Sequence, residues 1–354
     1  MTTQSNDQTS YVLPFLAILL ISGMAIYFAS SHKNTPMQPS TLINWKQVSS
    51  FNYPRRALAA VATQNHLYVI GGISESGEYV RQVEYTKIQP DGSLGEWHET
   101  TSLNQGRFYL AAVALDGSIY ALGGGAGELG DNNIPVATVE AAKILPDGSL
   151  SPWIKMNDMT TPRRGLKAVQ YNNRIYAIGG YNGAFLRSVE TAAVSPDGLL
   201  SPWHTDSHES KLVRYIHSAS IYKNNIYLLG GHVQRSDKMS YGDVEMTSIN
   251  NDGTLQPWVV EKTSLLNPRF MASSFALNQM LYILGGHNGG NRLNSVEFAS
   301  IGQNGHVGRW GLTAPLNDPR SAATVTKYND HVYVLGGMGM NQVLNSVEMA
   351  VFQN

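Results

Sequence analysis

A closed, all-β ring of six repeated sheets is the fold class this sequence predicts, on three observations. The chain of 354 residues places one tryptophan in each repeat, Trp45, Trp97, Trp153, Trp203, Trp258 and Trp310, at intervals of 50 to 56 residues. Between them fall six Tyr-X-X-Gly-Gly words, at residues 68–72, 120–124, 176–180, 227–231, 282–286 and 333–337. An arginine stands sixteen residues before the first glycine of each word (Arg55, Arg107, Arg163, Arg214, Arg269 and Arg320), and a Val-Glu pair follows each word (Glu84, Glu140, Glu190, Glu245, Glu297 and Glu348). A period near 50 with paired glycines belongs to ring-shaped repeat architectures.

The elements follow in order along each copy. The strand after the arginine is rich in small residues (Ala59, Ala60, Ala111, Ala112, Ser218, Ala219, Ala322, Ala323), which suit a crowded inner edge near the ring axis. Runs such as Leu67-Tyr68-Val69-Ile70 and Leu281-Tyr282-Ile283-Leu284 are aromatic and β-branched and stop at glycine, as buried strands do. Asp91-Gly92, Asp147-Gly148, Asp197-Gly198 and Asp252-Gly253 read as hairpin turns whose glycine takes a positive φ. Only the stretch between Gly-Gly and Val-Glu changes length from copy to copy, by up to six residues.

These words resemble the kelch repeat over residues 40–354. The resemblance implies four-stranded blades arranged as a six-bladed β-propeller, of a bacterial, membrane-anchored or exported kind. The last copy has no tryptophan-led strand after Val347-Glu348, while Ser40-Thr41-Leu42-Ile43-Asn44-Trp45 aligns with Gly148-Ser149-Leu150-Ser151-Pro152-Trp153. The N-terminal outer strand is therefore expected to complete the final blade and close the ring. A closed ring leaves few sheet edges exposed.

Residues 11–29 form an uncharged apolar run of 19, long enough to span a bilayer. The expected organisation is a short polar tail at residues 1–10, a transmembrane signal-anchor helix at 11–29, a linker at 30–39 and the propeller at 40–354. A single-pass membrane protein with its propeller outside the cytoplasm, periplasmic or at the cell surface, is the expected localisation. The net charge of −1 and the lack of a basic stripe give no sign of nucleic-acid binding. The absence of cysteine rules out a disulfide scaffold and also the cysteine–tyrosine cofactor of copper-radical oxidases, and no cofactor or metal is expected. His204 and His208, with Asp206 and Glu209 nearby, have a spacing that could bind zinc on a helix; following Trp203, they read instead as a surface loop.

In a four-stranded meander, the second-to-third loops and the blade connections share one face. That face carries the length variation, at residues 73–83, 125–139 and 232–244, and variable loops on a rigid scaffold are where recognition usually sits. The six arginines begin the innermost strands at this face. Neighbouring guanidinium groups about 10 Å apart repel by about 1.7 kcal/mol at an effective dielectric near 20, so something must offset them. Each arginine either pairs with a Val-Glu glutamate or stays available to grip carboxylates, sulfates or phosphates. The candidate binding set is Arg55, Arg107, Tyr109, Arg163, Tyr181, Arg214, Tyr215, His232, Arg269, His287 and Arg320, the aromatics offering flat apolar faces with polar tips. Phe108 and Phe270 also follow arginines, and Arg235, Lys238 and Tyr241 sit in the long loop of copy four. The function expected is non-catalytic recognition of a protein or glycan partner. The alternative is a sugar mutarotase of the sialic-acid type, with no glutamate assigned to catalysis.

Overall fold

A computed structural model describes residues 1–2, 42–127, 134–235 and 238–352. The chain divides into two units, Met1–Pro39 and Ser40–Asn354. The predicted span at 11–29 and the linker at 30–39 lie outside the described residues. Among the described residues no helix is long and apolar enough to cross a membrane.

The second unit is an all-β, six-bladed propeller. Blade one is an antiparallel meander of Ala59–Thr63, His66–Ile70, Val83–Lys87 and His98–Thr100, and the next four blades repeat that order. Blade six takes Thr324–Tyr328, His331–Leu335 and Val347–Phe352 from the end of the chain and Leu42–Val48 from its start. The outer strand pairs antiparallel with Val347–Phe352, Gln47 opposite Glu348 and Val48 opposite Val347, which is the closure the sequence predicts.

The core lies between the blades. The second strands, such as Leu67-Tyr68-Val69-Ile70, have no exposed surface, because both faces pack on neighbouring sheets. Two recurrent side chains fasten blade to blade, each at five of the six copies among the described residues. The Tyr68 hydroxyl donates to the carbonyl of Gly148, Tyr120 to Gly198, Tyr176 to Gly253, Tyr227 to Gly305 and Tyr333 to Gly92. The Nε1–H of Trp45, Trp97, Trp153, Trp203 and Trp258 donates to a backbone carbonyl of an adjacent blade, Trp97 reaching Ser49 O at 3.0 Å. The tyrosine of the Tyr-X-X-Gly-Gly word and the turn glycine of the following copy are thus two halves of one contact. The glycine at that turn is required by its backbone: Gly92 has φ +79°, and a Cβ there would lie 1.9 Å from the His331 ring.

Candidate functional site

The six arginines are buried, each 0–1% exposed, and so are their partner glutamates. Arg163 shows the arrangement. Its Nη1 donates to the carbonyls of Gly179 at 2.9 Å and Ser188 at 3.1 Å, and its Nη2 donates to Glu190 Oε1 at 2.6 Å. Glu190 also accepts the backbone N–H groups of Thr160 and Thr161, in the connection that leads into the blade. Arg55–Glu84, Arg107–Glu140, Arg214–Glu245, Arg269–Glu297 and Arg320–Glu348 repeat the ion pair. Arg214 is turned, giving Nε to Glu245 at 2.8 Å and stacking its guanidinium on the Tyr241 ring at 4.9 Å. Burial lowers the pKa of Arg55, Arg107, Arg163, Arg269 and Arg320, and the facing glutamate opposes that shift.

This is the pairing between arginine and Val-Glu that the matching counts suggest. It corrects the expectation that the arginines ring the channel mouth with guanidinium groups available to a ligand. A charge with no exposed surface, already bonded to a carboxylate and two carbonyls, closes the loop onto the blade.

Two residues after each arginine the backbone turns left-handed: Ala57, Tyr109, Gly165, Ile216, Met271 and Ala322 have φ between +47° and +62°. Five of these are not glycine, and a left-handed residue with a Cβ costs about 1–2 kcal/mol. The compensation is a chain of five hydrogen bonds running around the axis. Gly165 N–H donates to Tyr109 O, Tyr109 to Ala57, Ala57 to Ala322, Ala322 to Met271 and Met271 to Ile216, at 2.7 to 3.0 Å. These residues narrow the channel to a throat with a free volume of about 20 Å³.

Above the throat, the residue after each arginine forms an antiparallel bridge with the residue after each Gly-Gly pair. The six pairs are Arg56 with Ile73, Phe108 with Gly125, Arg164 with Tyr181, Tyr215 with His232, Phe270 with His287 and Ser321 with Met338. The framework thereby holds two residues per blade at one face, and these are the positions where the copies differ. Their rings form a continuous arc. Tyr79 meets Phe108 at 4.8 Å between centroids, Phe108 meets Tyr109 at 5.4 Å, and Tyr109 meets Tyr215 at 6.3 Å. Tyr215 meets Tyr181 at 5.5 Å and Phe185 at 5.6 Å, Phe185 meets His232 at 5.9 Å, His232 meets Phe270 at 5.2 Å, and Phe270 meets His287 at 5.4 Å. The Arg164 guanidinium lies over Tyr181 at 4.9 Å and Tyr215 at 5.7 Å. Blade six, with Ser321 and Met338, leaves the arc open on one side.

Five of the predicted residues, Tyr109, Tyr181, Tyr215, His232 and His287, are therefore brought together. Each is partly exposed, so the arc is a surface with packed roots. Burial raises the pKa of the Tyr109 and Tyr215 hydroxyls, and burial together with the Arg292 charge lowers that of His287. Tyr79, Phe185 and Arg164 belong to it and were not predicted. Tyr79 and Phe185 sit in the loops of varying length, and each bridges back to the post-glycine residue, Tyr79 to Ile73 and Phe185 to Tyr181. Arg164 follows Arg163 directly, and the repeat marks it by register alone. Arg235 and Lys238 pair across a two-stranded ribbon in the blade-four loop. His204 opens the short outer strand of blade three and is exposed, and the half-buried His208 lies just beyond it against Asp206.

The kelch-motif family model matches residues 162–191, 268–297 and 319–349. Alpha-scruin of Limulus polyphemus is 25% identical over 264 residues, which is 73% of this chain and 27% of that protein. Kelch-like protein 36 of Bos taurus is 26% identical over 296 residues, 82% of this chain and 45% of the relative. The solved structure of YjhT superposes with a TM-score of 0.65 at 15% identity, covering 87% of this chain and 99% of that one, a likeness of fold. The chain spans between a quarter and a half of the length of these curated relatives. Fold and face together define a six-bladed propeller with a variable aromatic surface on a repeated framework. The kelch motifs and the likeness to kelch-repeat proteins support a kelch-repeat family for this chain.

Proposed function

We propose that this chain is a non-catalytic recognition module that binds a protein partner through the aromatic arc. The observation that carries the reading is the double bridge at the foot of each loop. It places the non-repeated residues of six blades on one face; in blades two to five at least one of them is aromatic, and in blade one Tyr79 bridges back to Ile73. Aromatic residues and arginine are enriched in the cores of protein interfaces, and such anchors carry most of the binding energy. Sugars also stack on such rings, so a glycan is the second ligand class the arc suits. The mutarotase alternative needs a carboxyl group at the channel mouth, and the six repeated glutamates are each committed to an arginine and to loop N–H groups. The proposal includes a membrane tether at residues 11–29, which the length and apolarity of that run support, and places the propeller outside the cytoplasm.

The test places a photo-crosslinking amino acid at Phe185 in the full chain, in the cells that produce it, with a control at Leu312 on the outer strand of blade five. A discrete protein adduct is expected at Phe185 alone and is expected to disappear on Tyr215→Ala. Adducts equal at both positions, or unaffected by Tyr215→Ala, would refute a partner on the arc.

A further inference from the structure

The axis of the ring holds a second feature that the aromatic face does not use. Four residues after each repeated arginine, the inner strands contribute Ala59, Ala111, Lys167, Ser218, Ser273 and Thr324 to one level of the channel. Five of the six are small and neutral, and blade three alone places an ammonium there. The repeat does not need that lysine for folding, since alanine occupies the same register in blades one and two.

Among the described residues Lys167 makes no hydrogen bond or ion pair, and no aspartate or glutamate lines the channel along its length. Burial alone lowers its pKa to about 8, so the ammonium is mostly charged at neutral pH. A second cation, Lys327, lies further along the same bore. Burying the Lys167 charge without a partner is costly, and with the exposed Lys327 at the wider end and no carboxylate lining the bore, the channel carries a positive potential. The cavity at Lys167 has a free volume of about 110 Å³ and shares Ala60, Ala112 and Ser274 with a wider vestibule of about 270 Å³. That vestibule lies toward the tight-turn face, and the throat at the aromatic face is too narrow for anything larger than water.

We propose that the axial channel is a binding site for a small oxyanion, reached from the tight-turn face and held by the ammonium of Lys167, with Lys327 drawing it in. The size of the chamber limits the ligand to a tetrahedral oxyanion or a short carboxylate. The site is separate from the aromatic arc and does not depend on how that face is read.

The experiment uses the full chain and sulfate, whose charge is constant between pH 7 and 9. Sulfate binding is measured by calorimetry at fixed ionic strength in the wild type, in Lys167→Ala, and in Lys87→Ala as an exposed control. In parallel, reductive methylation followed by mass spectrometry reads the reactivity of Lys167 itself with and without sulfate. The expected result is saturable binding in the wild type and the control, weaker by about tenfold or more in Lys167→Ala, the change for losing one charge-assisted hydrogen bond. Binding should also weaken between pH 7 and 9, and sulfate should protect Lys167 from methylation. Absence of wild-type binding, equal binding in Lys167→Ala, or methylation unaffected by sulfate would each overturn the proposal and leave a lysine merely hydrated by channel water.

Discussion

Arg163 and Glu190 meet at 2.6 Å with both side chains wholly buried, and the same carboxylate holds the two backbone N–H groups that turn the chain into the blade. Each such pair is therefore a fastener between a connecting loop and a sheet. Breaking a buried pair from one side leaves an uncompensated charge and costs about 3–5 kcal/mol. Arg163→Met should lower the unfolding free energy of the full chain by that amount in urea denaturation. A variant with unchanged stability and a lost ligand would instead indicate a guanidinium held for binding.

The framework was legible in the sequence because each of its contacts joins two repeated residues. Tyr68 with Gly148 and Arg55 with Glu84 recur as the same residue pairs from copy to copy even where the loop between them changes length, so blade number, strand order and the closure by residues 42–48 could all be read from them. Which face carries the variation was legible for the same reason. The accessibility of the arginines was not, because depth below the surface leaves no mark on a spacing. Nor were Tyr79 and Phe185, which reach the arc by folding back within loops of unequal length, where register cannot be counted.

Tyr215 lies against the backbone of Gly165. A Cβ on that glycine would sit 2.4 Å from Tyr215 Cε2, and φ there is +62°. Gly165→Ala should cost about 1 kcal/mol of stability while displacing the ring at the middle of the arc. Partner adducts at Phe185 should fall with it, whereas Gly183→Ala, at a glycine with positive φ and open space around it, should carry the backbone cost without the loss of adducts.

His217 occupies a position held by Leu58, Leu110 and Leu166 in the first three blades, is 1% exposed, and has neither ring nitrogen bonded among the described residues. Burial, and then the charges of Arg214 and Lys167, push its pKa well below the usual histidine value. The unfolded chain takes up a proton near pH 6.5 that the folded chain refuses. Stability is therefore complete above that pH and falls below it, by up to about 1.4 kcal/mol per pH unit from this group. His217→Leu should remove one proton from the pH dependence of unfolding between pH 6.5 and 5. It should also stabilise the fold by about 1–3 kcal/mol, since two orphaned polar atoms disappear. Thermal unfolding followed against pH in both proteins checks the sign.

Ring closure rests on one strand that comes from the far end of the chain, and Trp45 is its anchor. The indole is 5% exposed in a cluster with Phe275, Tyr282 and Phe352, and its Nε1–H donates to Ala314 O at 3.1 Å, tying blade six to blade five. Trp45→Ala should cost about 3–5 kcal/mol, the range for truncating a buried aromatic. The loss should be local before it is global, because the outer strand can detach while the other five blades keep their four strands. Hydrogen exchange should then accelerate in residues 347–352, whose edge the strand covers, well before it does in the inner strands. Detachment also bares an unpaired edge, so the variant should associate at concentrations where the wild type stays monodisperse. Uniform acceleration across all six blades would mean instead that the ring opens as a single cooperative unit, with no separable latch.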